Sequence, residues 1–580
     1  MYNEYEIRTI PLSLKSIRQR VEKFLALHEL KLDNVDYYAG IFRLDDDEIL
    51  ACGGLENNII KCIAVNDDLQ GTGMSNRLVS HLISTAVSIG YNSVKVFTKP
   101  KNKDIFTSLG FTLLAQSDKA VLLENNSKNI NDYCSYLSSE KKDGINGCIV
   151  MNCNPFTLGH LYLIEQASRQ VDNLYIIPVK EDKSVFSYTE RKAMIECGVK
   201  HLKNVTVLNG SDYAISQATF PTYFLKNITD ATDTHIQLDL DIFTKFIAPA
   251  LNIQYRFVGS ETTDVLTLRY NTLMKQILPE NNIKVTEIKR LEKSGNAISA
   301  SAVRNHLKNN SLSQAMNLVP LSDVPYLLSY SATQALQTEL DLTPKPGLVD
   351  KKDSGSHKDM DYSLMCKSIK SLHPYFTQLA LLGCQKDLPS VREIRTIGLK
   401  AEEEMFKTTN GINTHKGALF SMGLAVLCAS HIIYLYNNLT AENLQSCISI
   451  LASRFDQPEH THGDEVLRQN KIKGALYNAT DGYKELFGSW LPFYKENKDG
   501  EYCLHRLLLL IMSTLDDTNV YYRKNADTVL KVKQQAKELF DNFSIYELEK
   551  LNTEYIKENI SSGGAADMLS LTIFIASVLN

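Results

Sequence analysis

The sequence has little of what marks a secreted, membrane-bound or nucleic-acid-binding protein. Its 11 cysteines form no Cys-x-x-Cys pair and no repeating spacing, so no disulfide framework or zinc site is indicated and reduced thiols in the cytoplasm are expected. A formal charge of -5 gives no bulk attraction to polyanions, which argues against nucleic acid as a partner. The first residues carry acids and no apolar run, so we expect no signal or transit peptide.

Internal repeats and low-complexity tracts are also missing. The 580 residues have globular composition, and at roughly 150 residues per domain they predict three or four domains. One uncharged stretch, 417–436, is about long enough to cross a bilayer. Because Ser421, Ser430 and His431 interrupt it and no Lys/Arg cluster lies beside it, we expect a helix buried in an all-helical core and no membrane contact.

Three regions differ in their hydrophobic pattern. Short apolar runs predict strands at 36–42, 59–65, 93–98 and 120–123 around a helix at 74–88. After the polar stretch 125–144, strands at 148–151, 174–179, 205–208 and 255–258 alternate with helices such as 161–170, which favours a parallel sheet. Beyond Pro320, helical patterns at 362–382, 392–406, 418–436 and 526–540 predict an all-α region.

The segment from Asn154 to His160 has the features of a phosphate-binding turn. It lies between a predicted strand and a predicted helix, where backbone amides and the positive end of a helix dipole favour an anion. Gly159 would let the backbone approach a ligand closely, and His160 could donate a hydrogen bond to a phosphoryl oxygen. Without further residues, a strand-to-helix turn capped by a histidine explains the segment equally well.

A second segment, from Ile298 to Arg304, supplies groups that hold phosphates. Ser299 and Ser301 open a predicted helix, although a serine cap and a solvated arginine would give the same pattern. Together the two segments resemble the T/H-x-G-H and I-S-x-S/T-x-x-R motifs of the nucleotidyltransferase superfamily. The resemblance implies ATP binding and attack of an oxygen nucleophile on the α-phosphate, with Thr157 standing where many members have a first histidine.

Further segments at 220–226, 247–253 and 255–259 resemble the citrate lyase ligase family. That family activates acetate as acetyl-adenylate and passes the acetyl group to the thiol of the prosthetic group on the citrate lyase acyl carrier (gamma) subunit. The resemblance implies that His160 stabilises the α-phosphate, that the second segment holds pyrophosphate, and that Mg²⁺ neutralises the triphosphate. It implies an ATP site that contains Asn154, Phe156, Thr157, Gly159, His160, Arg191, Gly259, Ser260, Ser299, Ser301 and Arg304.

The first region carries a glycine-rich turn. Gln70, Gly71 and Gly73 follow a predicted strand and open a helix, so successive amides could hold a pyrophosphate such as that of coenzyme A. The turn resembles the Q/R-x-x-G-x-G/A loop of GNAT-type N-acetyltransferases, although Ser75 stands where Gly or Ala is usual, and 106–111 resembles a later turn of that fold. No acetyltransferase base stands out, so we expect docking of the carrier's pantetheine-like arm rather than catalysis.

Six short phrases in the last region gather acidic, basic and amide groups. Each phrase taken singly has the residues of a helix cap or a turn. Together they could form one site at helix ends, with carboxylates for Mg²⁺ and Lys, His and amide groups for a triphosphate. The phrases are KPGLVD at 345–350, GSHKDMD at 355–361, NTHKG at 413–417, THGD at 461–464, DDTN at 516–519 and SSGGAAD at 561–567.

These phrases resemble the triphosphoribosyl-dephospho-CoA synthase family over roughly 323–580, although Asp464 and Ser562 replace the usual Glu and Pro. That family joins ATP to dephospho-CoA and expels adenine, which forms the precursor of the citrate lyase prosthetic group. Because breaking the N-glycosidic bond builds oxocarbenium character, nearby carboxylates suit the reaction. The expected metal ligands are Asp359, Asp361 and Asp517, the expected phosphate or catalytic groups are Lys345, His357, His415 and Lys416, and Asp567 is a candidate with no assigned role.

Both resemblances concern one prosthetic group, because one family makes its precursor and the other acetylates it. The sequence therefore predicts a bifunctional citrate lyase maturation enzyme with a GNAT-like α/β domain at 1–127, a Rossmann-like α/β nucleotidyltransferase domain at 145–320 and an all-α domain at 323–580. Rival interpretations keep these folds: a pantetheine-phosphate-like adenylyltransferase, a malonate decarboxylase cofactor synthase, or an assembly factor that binds CoA-like arms without turnover. The intact phosphate-binding motifs and acidic phrases argue against the last.

Overall fold

A computed structural model describes most of the chain, namely residues 5–180, 184–214, 228–262, 264–293, 295–455 and 474–579, without the side chains of 228–230. The phrases at 220–226 and 461–464 therefore lie outside the described residues. Contacts divide the chain into two compact units, 1–298 and 299–580. The division into three domains stays a prediction.

The first sheet of unit 1 has seven strands in the order β1-β2-β3-β4-β5-β7-β6. The strands are β1 Tyr5–Thr9, β2 Tyr37–Arg43, β3 Ile49–Glu56, β4 Ile59–Val65, β5 Lys95–Thr98, β6 Thr112–Gln116 and β7 Val121–Glu124, and the helices beside them are Lys15–Leu27, Met74–Ser88 and Lys103–Ser108. Strands β4 and β5 run parallel, whereas the other neighbours run antiparallel. This arrangement confirms the GNAT-like α/β fold.

Several elements of this region were not predicted, among them strands β1, β3 and β6 and the helices Lys15–Leu27 and Lys103–Ser108. Strand β3 was not predicted, because Gly53 and Gly54 interrupt its apolar run. A Cβ on Gly54 would lie 2.5 Å from the Tyr38 ring, so the close packing of these strands requires glycine at this position. The polar stretch 125–144 contains the helix Lys128–Glu140, whose Ile130 and Leu137 are buried while its polar residues face outward.

The second sheet of unit 1 has five parallel strands in the order β10-β9-β8-β11-β12, which confirms the Rossmann-like fold. The strands are β8 Asn146–Met151, β9 Asn173–Pro178, β10 Val205–Val207, β11 Ile253–Gly259 and β12 Lys284–Ile288, and the helices are Leu158–Ser168, Tyr188–Val199, Ile228–Ile242, Ala248–Leu251 and Val265–Glu280. A short ribbon, β13 Glu292–Lys293 and β14 Asn296–Ala297, follows. The chain runs outward from β8 on both sides, so the carboxyl end of β8 borders the crevice where such sheets bind ligands.

Unit 2 is helical throughout its described residues, as the sequence predicted. Its helices are Ala300–Lys308, Leu312–Met316, Val324–Asp341, Tyr362–Gly383, Val391–Thr408, Lys416–Tyr436, Ala441–Ala452, Ala475–Thr480, Leu491–Asn497, Cys503–Thr514, Thr518–Arg523, Ala526–Asp541, Ile545–Glu558 and Gly563–Val578. The helix Lys416–Tyr436 is long and apolar enough to cross a membrane, but 83% of its apolar window is buried within the fold. That burial fits the expected core helix.

Candidate active sites

The predicted phosphate-binding turn follows β8 and opens the helix Leu158–Ser168, three residues earlier than the sequence indicated. Thr157 caps this helix: its Oγ1 accepts the His160 N–H at 3.3 Å, and its own N–H donates to His160 Nδ1 at 3.1 Å. The amides of Leu158 and Gly159 have no partner among the residues that the structure describes. They are therefore free to bind an anion at the helix N-terminus.

His160 presents a neutral imidazole to this turn. Because Nδ1 accepts the Thr157 N–H, Nε2 carries the ring proton. Burial and the nearby Arg290 guanidinium lower the pKa of His160 to about 4, so the ring stays neutral near pH 7. In the described part of the chain nothing accepts a hydrogen bond from Nε2, which leaves it as a donor for a phosphoryl oxygen.

Phe156, a predicted ATP contact, is instead a core residue. Its side chain is 0% exposed and packs against Gly198, where a Cβ would lie 2.4 Å from the Phe156 ring. The ring also stacks on His160 with 5.9 Å between centroids. Asn154 lies beside it, and its Oδ1 accepts the Phe186 N–H at 3.2 Å. We therefore correct the role of Phe156 to support of the turn, because its ring is closed off from a nucleotide.

Arg191 is likewise buried rather than turned toward phosphate. Its Nε donates to the Phe186 carbonyl at 3.2 Å, and its Nη1 donates to the carbonyls of Asn152 and Val179 at 2.7 and 2.9 Å. A guanidinium that satisfies one carbonyl of the loop after β8 and two of the loop after β9 fixes the two loops relative to one another. The predicted phosphate contact of Arg191 is corrected accordingly: the side chain braces the loops after β8 and β9.

Gly159 permits a close approach of the protein chain itself. A Cβ at Gly159 would lie 2.7 Å from the carbonyl oxygen of Ile298, so a larger residue would push the two segments apart. Ile298 is 7% exposed, and its N–H donates to the Leu291 carbonyl at 3.0 Å. The end of the ribbon is thereby fixed against the phosphate-binding turn.

Gly259 and Ser260 lie where β11 ends, at the carboxyl edge of the same sheet. Ser260 Oγ accepts the Arg290 N–H at 3.2 Å, and the Arg290 guanidinium pairs with Glu261, whose side chain is 2% exposed. Sequence reasoning missed Arg290. Its signal was a basic residue just after the last parallel strand, a position that faces the ligand crevice in this class of fold.

The I-S-x-S-x-x-R segment continues into unit 2, where Ser299 caps the helix Ala300–Lys308 and accepts the Ala302 N–H at 3.1 Å. Ser299 is therefore a helix cap, which is the structural role that the sequence left open for this serine. Ser301 and Arg304 lie together on the first turns, with Arg304 Nη2 donating to Ser301 Oγ at 3.0 Å. Their action on the phosphates of ATP stays a prediction.

The glycine-rich turn of the first region borders a cavity of about 590 Å³. Gly71 and Gly73 have φ of +81° and +87°, which favours glycine, and Gly73 caps the helix Met74–Ser88. Gln70 lines this cavity, and its side chain donates to Asp67 Oδ1 at 2.7 Å. Binding of a CoA-like arm here stays a prediction.

Unit 2 contains a cavity of about 530 Å³ that gathers the predicted phrases. Five of the six contribute to its lining, and the remaining one, at 461–464, lies outside the described residues. The phrase residues that line it include Lys345, His357, Asp359, Asn413, His415, Lys416, Gly417, Asp516, Asp517, Asn519, Ser561, Gly563, Gly564 and Asp567. Segments more than 200 residues apart in sequence thus line one cavity, and binding of ATP in it stays a prediction.

The inner wall of this cavity is acidic. Lys345, 1% exposed, pairs with Glu339 rather than standing free for phosphate. Burial, helped by the charges of Asp517 and Glu339, raises the pKa of Asp567 well above its usual range. A Cβ on Gly417 would lie 2.1 Å from Asp567 Oδ2, so only glycine at that position leaves room for this carboxyl group.

The outer wall carries the exposed cations. His357 has both ring nitrogens engaged: Arg523 Nη2 donates to Nδ1 at 3.1 Å, and Nε2 lies 2.9 Å from Ser561 Oγ. Burial and Arg523 lower the pKa of His357 to about 4, so it carries no charge for phosphate. The predicted phosphate contact of His357 is therefore corrected to positioning of Arg523, which sequence reasoning missed. Lys416 is exposed and pairs with Glu402.

The predicted metal ligands do not form one cluster. Asp361 is an exposed helix cap that accepts the Leu364 N–H at 2.8 Å, and it does not line the cavity. Asp517 is buried and accepts three backbone N–H groups, including that of Ala565 at 3.0 Å. Asp359 alone of the three is an exposed carboxylate on the lining. No group of three or more metal-ligating side chains occurs in the described ranges.

Two protein-family models match the chain. The model described as citrate lyase ligase C-terminal domain matches residues 146–327, which include the turn at His160 and the segment through Arg304. The model described as ATP:dephospho-CoA triphosphoribosyl transferase matches residues 325–580, which include the whole helical cavity.

Characterised relatives match over nearly their full lengths. The citrate (pro-3S)-lyase ligase of Klebsiella pneumoniae is 40% identical over 326 residues, covering 55% of this chain and 95% of the relative. The corresponding ligase of Haemophilus influenzae is 41% identical, covering 53% of this chain and 94% of the relative. A Streptococcus mutans protein named "Probable 2-(5''-triphosphoribosyl)-3'-dephosphocoenzyme-A synthase" is 31% identical, covering 43% of this chain and 95% of the relative.

Proposed function

This chain belongs to the citrate lyase ligase family through its N-terminal part and to the ATP:dephospho-CoA triphosphoribosyl transferase family through its C-terminal part, and we propose on this premise that one polypeptide completes two steps of citrate lyase maturation. It synthesises triphosphoribosyl-dephospho-CoA from ATP and dephospho-CoA, with release of adenine. It also acetylates the thiol of the finished prosthetic group, with release of AMP and pyrophosphate. The observation that carries this proposal is that each half has its own ATP-suited site, one at His160 and one in the helical cavity.

In the ligase half, the residues act on the α-phosphate. An acetate oxygen attacks phosphorus, pyrophosphate leaves, and the carrier thiol then takes the acetyl group from acetyl-AMP. His160 Nε2–H and the amides of Leu158 and Gly159 donate to the phosphoryl oxygens as their charge grows. Ser301 and Arg304 supply hydroxyl and guanidinium groups for the pyrophosphate.

In the synthase half, the same substrate is broken at a different bond. Asp517, which stays largely ionised because its pKa is raised only to about 6, favours the positive charge that the ribose of ATP gains, whereas Asp567 beside it is held largely protonated by burial. Arg523 and Lys416, at the exposed wall, hold the triphosphate. Asp359, an exposed carboxylate of the lining, would supply a ligand to a Mg²⁺ ion bound with ATP, and that ion would neutralise part of the triphosphate charge.

The partner of the ligase half is the acyl carrier (gamma) subunit of citrate lyase. We also propose that the protein acts in the cytoplasm, where its substrates are found. The first region docks the carrier's pantetheine-like arm in the cavity beside Gly71 and Gly73, because it offers a wide opening and free turn amides without an evident acetyltransferase base. A malonate decarboxylase cofactor synthase would need no ligase half, so membership of the ligase family favours citrate lyase.

The test uses the full-length protein and measures both products. ATP with dephospho-CoA should give adenine, and ATP with acetate and the thiol-form carrier should give AMP and acetyl-carrier. His160→Ala should lose AMP formation and keep adenine release, whereas Asp517→Asn should do the reverse. Absence of both products from the wild type would refute the enzymatic function. Loss of both products in either folded variant would refute the separation of the sites.

A further inference from the structure

His415 lies on the inner wall of the helical cavity with one ring nitrogen held and the other unsatisfied. The residue is 5% exposed and lines the cavity. Ser368 Oγ lies 2.9 Å from Nδ1, whereas Nε2 is buried and has no hydrogen-bond partner within the described chain. A buried polar atom left without a partner is destabilising, because its lost hydration is not replaced. A ligand that enters the cavity is therefore expected to complete the hydrogen bonding of Nε2.

Two hydroxyl groups set the tautomer of His415. Thr414 Oγ1 lies 2.6 Å from Ser368 Oγ, so Thr414 can donate to Ser368 while Ser368 donates to Nδ1. The proton of the neutral ring then sits on Nε2. Burial and the Lys345 ammonium lower the pKa of His415 to about 3, which keeps the ring neutral near pH 7. His415 thus offers the cavity one N–H donor.

The charges of the cavity decide which end of ATP reaches His415. Asp517, whose pKa burial raises to about 6, stays largely ionised on the inner wall and disfavours a triphosphate there. Burial keeps the neighbouring Asp567 carboxyl group largely protonated, and the Lys345 ammonium on this wall is taken up by Glu339. Arg523, on the exposed wall, suits phosphates. The triphosphate therefore lies outward, and the ribose and adenine lie inward, toward Nε2.

We propose that His415 Nε2 donates a hydrogen bond to the adenine ring as it leaves, and that Ser368 is the positioning residue that orients this donor. The proposal rests on the proposed synthase function. In this step the bond between the anomeric carbon of the ATP ribose and adenine N9 breaks, with its electron pair going to adenine. A ribose hydroxyl oxygen of dephospho-CoA bonds to that carbon, and the hydroxyl proton is the one that adenine finally carries. His415 keeps its own proton and stabilises the charge that builds on the ring.

The first test separates turnover from binding. His415→Ala in the full chain should lower kcat for adenine release about 100-fold, because loss of one such donor has an effect of this size, while KM for ATP stays within about threefold. His415→Gln, which keeps an N–H near the Nε2 position, should retain part of the rate. Ser368→Ala should lower kcat without raising KM. Ser371→Ala is the matched control: it removes a hydroxyl that donates to the Ser368 carbonyl, and it should change neither kcat nor KM.

The second test varies the leaving group. With N7-methyl-ATP the purine already carries a positive charge and departs without help, so His415→Ala should slow purine release less than with ATP. Equal losses with the two substrates, or a raised KM with unchanged kcat, would overturn the proposal. Fluorescence of the single tryptophan, Trp490, which is buried in unit 2, reports whether the helical unit of each preparation is folded. Failure of the synthase function itself would be distinct, because wild-type protein would then release no adenine.

Discussion

Removing the Lys345 ammonium should destabilise the helical unit strongly. Lys345 is 1% and Glu339 5% exposed, and the two side chains pair directly. Lys345→Met leaves a buried carboxylate without its partner, and breaking a buried pair in this way costs about 3–5 kcal/mol. Because burial raises the pKa of Glu339, the orphaned group can take up a proton, which places the expected loss at the lower end, about 3 kcal/mol.

The single tryptophan of the chain makes this loss measurable in one unit. Trp490 is 2% exposed within unit 2, and its Nε1 donates to Thr514 Oγ1 at 3.0 Å, so its fluorescence follows unfolding of the helices alone. For an m value near 3 kcal/mol per M, a loss of about 3 kcal/mol lowers the urea midpoint by about 1 M. Lys345→Met should also lose adenine release, since the cavity wall gains an uncompensated acid.

A double variant distinguishes the ion pair from a general packing defect. Glu339→Gln combined with Lys345→Met removes both charges and should recover most of the lost stability, because a buried pair contributes little net stability relative to neutral groups of similar size. A Lys345→Met midpoint equal to that of the wild type would contradict the assigned pairing. So would a double variant as unstable as the single one.

Three further outcomes are expected. Gly159→Ala should reduce AMP formation at least tenfold and leave adenine release unchanged, since its Cβ would lie 2.7 Å from the Ile298 carbonyl; equal rates would contradict the close approach. Gly417→Ala should abolish adenine release alone, because its Cβ would lie 2.1 Å from Asp567 Oδ2, and parallel product assays check this. The pKa of His160 is lowered from 6.5 to about 4, so between pH 6.5 and pH 4 the folded state binds fewer protons than the unfolded chain. The free energy of unfolding should therefore fall as pH drops through this range. The pH profile of AMP formation should show no limb near 6.5.

The sequence predicted what depends on local pattern and missed what depends on distant contacts. The turn at His160 and the helical phrases could be found because their glycines, hydroxyls and charges follow fixed spacings along the chain. Distant contacts decide whether a side chain reaches the ligand. Arg191 has the same local signal as a phosphate ligand, yet its guanidinium donates to three carbonyls from the loops after β8 and β9. Arg523 and Ser368 carried no signal, because each acquires its role only through a histidine far away in sequence.

The two ATP sites break different bonds because their charges lie at different parts of the nucleotide. At the ligase turn no acidic residue occupies the first turn of the helix, so amides and a neutral His160 favour negative charge on phosphorus-bound oxygens. In the helical cavity the largely ionised Asp517 carboxylate lies inward, where it disfavours phosphate and favours a positive ribose. A nucleophile that approaches ATP in the first site therefore meets an activated α-phosphate, and one that approaches it in the second meets an activated anomeric carbon.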